Sequence, residues 1–162
     1  MKRLTILSIF VFIFLGCEHG EEVSALNEPL SAAFQLSDTL GHDTTSFRSG
    51  SSFNISFKVT NTTGKQLTFY RGDSSPNVKF KIYQADTKVA SSTDGYAFLM
   101  VATVGHLEPG RTMQGQWLAP NTPARIPKIV LTPGLYKIQP FYPRFDEVEV
   151  KEISPISFSI YP

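Results

Sequence analysis

Few side chains in this sequence are equipped for covalent or metal chemistry, and their spacing does not gather them. Cys17 is the sole thiol. It has no partner for an internal disulfide, and a single thiolate is a poor metal site. The three histidines, His19, His42 and His106, fall in three separate polar or turn-flanking stretches with no ligand spacing between them. They read as surface loop residues rather than as a shared metal or catalytic site. The acidic group Asp146, Glu147, Glu149 and Glu152 has the charge to attract calcium. Glu147 and Glu149 alternate with Val148 and Val150, however, which suits the solvated face of a strand. No Gly-x-Ser-x-Gly, P-loop or HExxH pattern occurs. The expectation is a protein without catalytic residues, metal or cofactor that works by binding.

The amino terminus gives Cys17 a different use. Met1-Lys2-Arg3 precedes an apolar run from Leu4 to Leu15 that is interrupted only by Thr5 and Ser8. As a helix that run reaches roughly 18 Å, against a hydrocarbon core of about 30 Å, so it is too short to span. A basic start, a short apolar stretch and a small residue at the cut describe a secretory leader. The stretch Phe14-Leu15-Gly16-Cys17 resembles a bacterial lipobox. That resemblance implies cleavage between Gly16 and Cys17, diacylglycerol on the Cys17 thiol, and acylation of the new amine by a fatty acid such as palmitate. Several acyl chains anchor firmly where one does not, at about 0.8 kcal/mol per buried CH₂. The expected location is therefore the bacterial cell envelope, held to membrane lipid through Cys17, at the outer membrane and facing either side of it.

Residues 1–16 are then the leader and 17–29 a lipidated acidic tether, leaving 30–162 as the domain. "EHGEEVSALNEP", residues 18–29, is acidic and aperiodic, as expected of a flexible segment. A first edge strand around Val23 to Leu26 is the other reading of it. Of the fifteen Lys and Arg residues, removal of Lys2 and Arg3 leaves thirteen against fourteen acidic ones, a net charge of about −1. With no basic stripe, nucleic acid is not an expected partner.

The domain itself is written with period two. Phe53, Ile55, Phe57 and Val59 alternate with Asn54, Ser56 and Lys58, a strand with one face on a core. Leu67 and Phe69 repeat this, as do Val78, Phe80 and Ile82. Met113 and Trp117 share a face between Thr112 and Leu118, and Leu135–Gln139 and Ile156–Ile160 complete the series. Tyr96 to Val101 is nearly continuous apolar and predicts a more deeply buried strand. Turn residues separate these runs at 61–64, 71–73, 93–95, 108–110 and 132–134. Short strands so spaced, with no helical period, predict an antiparallel β-sandwich of immunoglobulin type. It must stand without a disulfide, on burial of Trp117 and the phenylalanines. Tyr136, just after Pro133-Gly134, has two readings: a corner tyrosine bonded back to a loop carbonyl, or an ordinary core or surface residue.

Several of these segments together resemble the BsuPI domain, the bacterial intracellular proteinase inhibitor family. They are Ser52–Asn61, Leu67-Thr68-Phe69, Val78–Tyr83, Leu107-Glu108-Pro109-Gly110 followed by Trp117, and Leu131–Ile138. The likeness covers about 50–160 and implies an immunoglobulin-like sandwich. It also suggests a second function beside that of a non-catalytic binding or accessory module: a proteinase inhibitor presenting an exposed loop. The partner is then another envelope or extracellular protein, in the second case a protease. The candidate loops are 41–51, with Arg48, and 71–77, with Arg71, Gly72 and Asp73. Arg71-Gly72-Asp73 also resembles the integrin-binding signal of adhesion proteins, although Gly-Asp followed by serines and Pro76 is what a hairpin turn needs in any case. Asp38-Thr39-Leu40 and Asp43-Thr44-Thr45 resemble an O-glycosylation pattern, and Asn54 and Asn61 fit Asn-x-Ser/Thr. Turn and strand chemistry account for all four without sugar.

Overall fold

The computed structural model describes residues 28–120, 126–149 and 151–162. The leader, the Gly16–Cys17 cleavage and lipidation site, and the tether as far as residue 27 lie outside the described residues. Ten strands are present: β1 Leu30–Asp38, β2 Ser46–Arg48, β3 Phe53–Asn61, β4 Leu67–Arg71, β5 Lys79–Gln84, β6 Thr87–Ser91, β7 Thr103–Leu107, β8 Thr112–Ala119, β9 Gly134–Phe141 and β10 Ile156–Tyr161. No helix or disulfide occurs among the described residues. The chain is all-β and sandwich-like.

One layer holds the sheet β1-β3-β8, the other β2-β10-β9-β5-β6, and β4 and β7 form a two-stranded ribbon. The sheets are antiparallel as expected, apart from the short pairing of β2 with β10, which is parallel. Alternation explains the layering. Phe53, Ile55, Phe57 and Val59 are fully buried while the residues between them reach the outer face. Because β3 is the central strand of its sheet, its inner residues serve two cores. Phe53 and Ile55 join Phe47, Phe80, Ile82, Ile138, Phe158 and Ile160 between the two larger sheets. Phe57 and Val59 join Leu67, Phe69, Val78, Leu107 and Phe145 beneath the ribbon. Phe34 and Trp117 pack against both clusters. Aromatic pairs cross the layers: Phe47 stacks on Phe53 with centroids 4.0 Å apart, and Trp117 meets Phe80 edge-on at 4.9 Å.

Three expectations need correction. Tyr96–Val101 is not a buried strand. The backbone turns at Gly95, with φ +87°, and Leu99 and Met100 are 72% and 85% exposed. Six consecutive apolar side chains cannot share one face of a pleat, and the ribbon strand forms instead from Thr103, where alternation resumes. The acidic stretch after Phe145 is not a strand either. Glu147 and Glu149 are exposed, but the segment crosses the free edge of β4 as irregular chain. Phe145 bridges to Phe69, the Asp146 N–H donates to Thr68 O at 3.0 Å, and the Thr68 N–H donates to a Glu147 carboxylate oxygen at 2.8 Å. This caps an edge that would otherwise be open to pairing. Finally, the last two tether residues are docked: the Thr62 N–H donates to Pro29 O at 3.2 Å, and Lys151 pairs with Glu28 at 2.7 Å.

Candidate functional site

The two candidate arginines lie on different elements. Arg48 ends β2, the edge strand of the five-stranded sheet, where its carbonyl accepts from the Ser51 N–H at 3.0 Å. The preceding turn is closed on itself. The Asp38 carboxylate accepts from the N–H groups of Leu40 at 2.8 Å and His42 at 2.9 Å, and from the His42 ring at 3.0 Å. These bonds, led by that to the His42 N–H, hold the exposed Asp38 carboxyl below its ordinary pKa. The polar groups of this turn face one another, while Leu40 and Arg48 are exposed.

Arg71 is differently placed. It is the last residue of β4, on the ribbon face that carries Leu67 and Phe69 inward, so its side chain enters the end of the interlayer space. A cleft of about 200 Å³ opens there, between the end of β4, the 72–77 loop, the start of β5 at Lys79 and the end of β9 at Phe141. Arg71 Nη1 makes one long contact, 3.4 Å, to Asn77 Oδ1. Its Nε is buried and without a hydrogen-bond partner among the described residues, as is Oγ1 of Thr103. Those two residues are direct cross-strand partners.

Gly72 is exposed, with open space where a Cβ would sit. Asp73 is not held out to solvent as an adhesive signal would require. Its carboxylate turns back to accept from the Ser75 N–H at 2.9 Å and from the Ser75 hydroxyl. Those bonds, with smaller help from the charges of Lys79 and Arg71, hold it ionised below the ordinary value. Ser74 then ties the loop to its neighbour: its N–H donates to Leu99 O and its Oγ accepts from the Leu99 N–H, both at 2.9 Å. Arg71, Gly72 and Asp73 are thus brought together with an apolar segment that the sequence reading had placed in the core. The clue available in sequence was the absence of alternation in Tyr96–Val101.

Among the described residues no three His, Cys, Asp or Glu side chains are grouped as metal ligands. His42 is in the β1–β2 turn, and His106 lies on the outward face of β7. Asn61, one of the two acceptor-pattern asparagines, is fully buried, with its amide committed to Lys65 O and Leu107 O, each at 2.8 Å. Asn54 donates to Asp38 O at 3.0 Å.

No family model matches the chain, and no curated protein matches it. Solved structures resemble it only distantly. A β-glucosidase from Erythrobacter marinus has 15% identity over 81% of this chain, with a TM-score of 0.41. The alkylpurine DNA glycosylase AlkC of Pseudomonas fluorescens has 10% identity over 83%, with a TM-score of 0.42. This chain spans 15% and 31% of their respective lengths. The CARDB domain of PF1109 from Pyrococcus furiosus is matched over 97% of its own length and 83% of this chain, at 15% identity and a TM-score of 0.39.

Proposed function

We propose that this chain is a lipid-anchored protein of the bacterial envelope whose single immunoglobulin-like β-sandwich is a non-catalytic module for binding another protein. The anchor rests on the lipobox-like Phe14–Cys17. The immunoglobulin-like reading is supported by two facing sheets and by Tyr136, whose hydroxyl donates to Thr132 O four residues upstream at 2.7 Å, as a corner tyrosine does. The observation that carries the binding role is the apolar loop beside Arg71. Leu99, Met100 and Val101 are exposed side by side, with Tyr70 and Val104 outward on the adjacent ribbon. A cluster of that kind, fixed by hydrogen bonds at its base, is costly to leave in water and suits a protein interface.

A photo-crosslinking residue at Met100 in living cells should capture a protein partner, and one at Lys58, on the far sheet, should not. Loss of that adduct in Leu99→Ser is expected; equal capture from both positions means that the loop is not the binding face. Cys17→Ser should abolish fatty-acid labelling and membrane retention, and persistence of both would remove the anchor.

A second reading has its own support. The 71–77 loop is braced from within by Asp73–Ser75 and from outside by Ser74–Leu99, which is the rigidity a proteinase-inhibiting loop needs. Inhibition of a serine, cysteine or metalloprotease that vanishes in Arg71→Ala would favour it. A blank panel would leave the binding module alone.

A further inference from the structure

We infer that the cleft at the end of β4 is a carboxylate-binding site, with Arg71 as its principal donor and the carboxylate supplied by a peptide segment of the protein partner. This rests on reading that end of the sandwich as the binding face, and it names the chemistry the face selects.

Unused donors carry the inference. Arg71 has a buried Nε–H with no acceptor, and its Nη1 contact to Asn77 is at the outer limit of a hydrogen bond. Directly opposite on β7, the Thr103 hydroxyl is also buried and unpartnered, although Thr103 does not itself line the cleft. Desolvated donors without acceptors are rare in folded proteins, and a guanidinium is among the least tolerable of them. Lys79, on the same cleft, has no carboxylate within 4.0 Å among the described residues. The nearby acid makes no direct bond to either cation: the carboxylate of Asp73 is hydrogen-bonded to Ser75 and feels Lys79 and Arg71 only as neighbouring charges.

Charge and size then choose the ligand. Arg71 and Lys79 against Asp73 leave one positive charge, which a monoanion balances. A phosphate dianion would overshoot and would meet Asp73. A volume of about 200 Å³ is below that of pockets built for whole metabolites and suits a single side chain or chain end. Phe141 and Tyr142 line the cleft and can receive its methylenes. The planar fork of arginine matches a carboxylate in two parallel hydrogen bonds. Leu99 and Met100 stand beside the loop that frames the cleft, so an acidic residue flanked by apolar ones is the motif this face selects.

The test reads the donor itself. Full-length protein in detergent micelles, labelled with ¹⁵N-arginine, is titrated while the Arg71 Nε–H signal is followed by NMR. N-acetylglutamate N-methylamide stands for a side-chain carboxylate and N-acetylleucine for a chain terminus. N-acetylglutamine N-methylamide and inorganic phosphate are the controls. A saturable shift with Kd on the order of 1 mM is expected for at least one carboxylate, as befits so small a probe, and the tighter of the two identifies the source. Lys79→Met, on the outward face of β5, should weaken binding several-fold, and Arg71→Lys by about tenfold or more. An unmoved Arg71 signal, or phosphate or the neutral amide binding as tightly as the carboxylates, overturns the site. Capture at Met100 is a separate measurement, so a partner without a carboxylate response would refute this inference and leave the binding module standing.

Discussion

Replacing Asn61 with alanine should destabilise the domain by about 3 kcal/mol, more than any single exposed site in the candidate loops. The side chain is fully buried at the end of β3 and every polar atom on it is used. Its amide donates to Leu107 O and Lys65 O, and its carbonyl oxygen accepts from the N–H of Thr63 at 2.9 Å and the Thr63 hydroxyl at 2.7 Å. Truncation leaves the Leu107 carbonyl buried without that donor, which costs roughly 1–3 kcal/mol. The Lys65 carbonyl and the Thr63 N–H are nearer the surface and regain water, at about 0.5 kcal/mol each. For a domain of this size, 3 kcal/mol corresponds to a fall in Tm of roughly 10 °C. Circular dichroism during heating and urea titration, with Asn54→Ala as the comparison, measures it. Asn54 lies on the same strand but makes a single such bond, 3.0 Å to Asp38 O, and should cost about 1 kcal/mol or less. If Asn61→Ala falls within 1 kcal/mol of the parent, the buried amide is not the clasp joining the β3–β4 connection to the end of β7.

Two further perturbations probe the ribbon and its capping strap. In Gly105→Ala the new Cβ would lie 2.3 Å from Cζ of Phe69, a ring already held edge-on by Phe145 at 5.5 Å; a loss of about 1–3 kcal/mol in urea titration is expected, whereas Gly72→Ala, with nothing within 4 Å of its Cβ, should stay within about 0.5 kcal/mol. Acid should loosen the strap. The Thr68 N–H is the main cause holding the Glu147 carboxyl below its ordinary 4.5, so this stabilisation is present above that pH and is lost as pH falls through the lower folded value. Stability curves of the parent and Glu147→Gln should therefore converge below pH 4.5; curves that stay parallel would show that the carboxylate contributes nothing.

How far the sequence spoke depended on whether a strand's burial was one-sided. β3 and β5 were legible because each sets apolar side chains against polar ones in alternation, as β8–β10 do over most of their length, and a pleat converts that directly into inside and outside. β1 carried the same signal in Leu30, Phe34 and Leu36 but diluted by Ala32 and Ala33, small residues that hardly distinguish the faces. β2, with three residues, and β6, exposed over its first three, were too short or too polar to register. The strap after Phe145 was misread because Glu147-Val148-Glu149-Val150 alternate as a strand does. Its bonds go to Thr68 on β4 and not to a continuous ladder.

Tyr96–Val101 was misread for a reason that bears on function. Hydrophobicity in sequence predicts burial, and it does not specify burial by what. In this chain the apolar run is longer than one pleated face can hide, and the Thr93–Gly95 turn and the Ser74 bonds fix it outside both cores. Leu99 and Met100 contribute nothing to either cluster, so polar replacements there should leave folding intact. Exposed apolar side chains that belong to neither core, on a backbone anchored to the loop bearing Arg71, are what motivates the binding face proposed above. The test of Leu99→Ser is accordingly a double one: unchanged Tm together with lost capture at Met100 places the loop's role in binding, whereas a fall in Tm of several degrees would return it to the core.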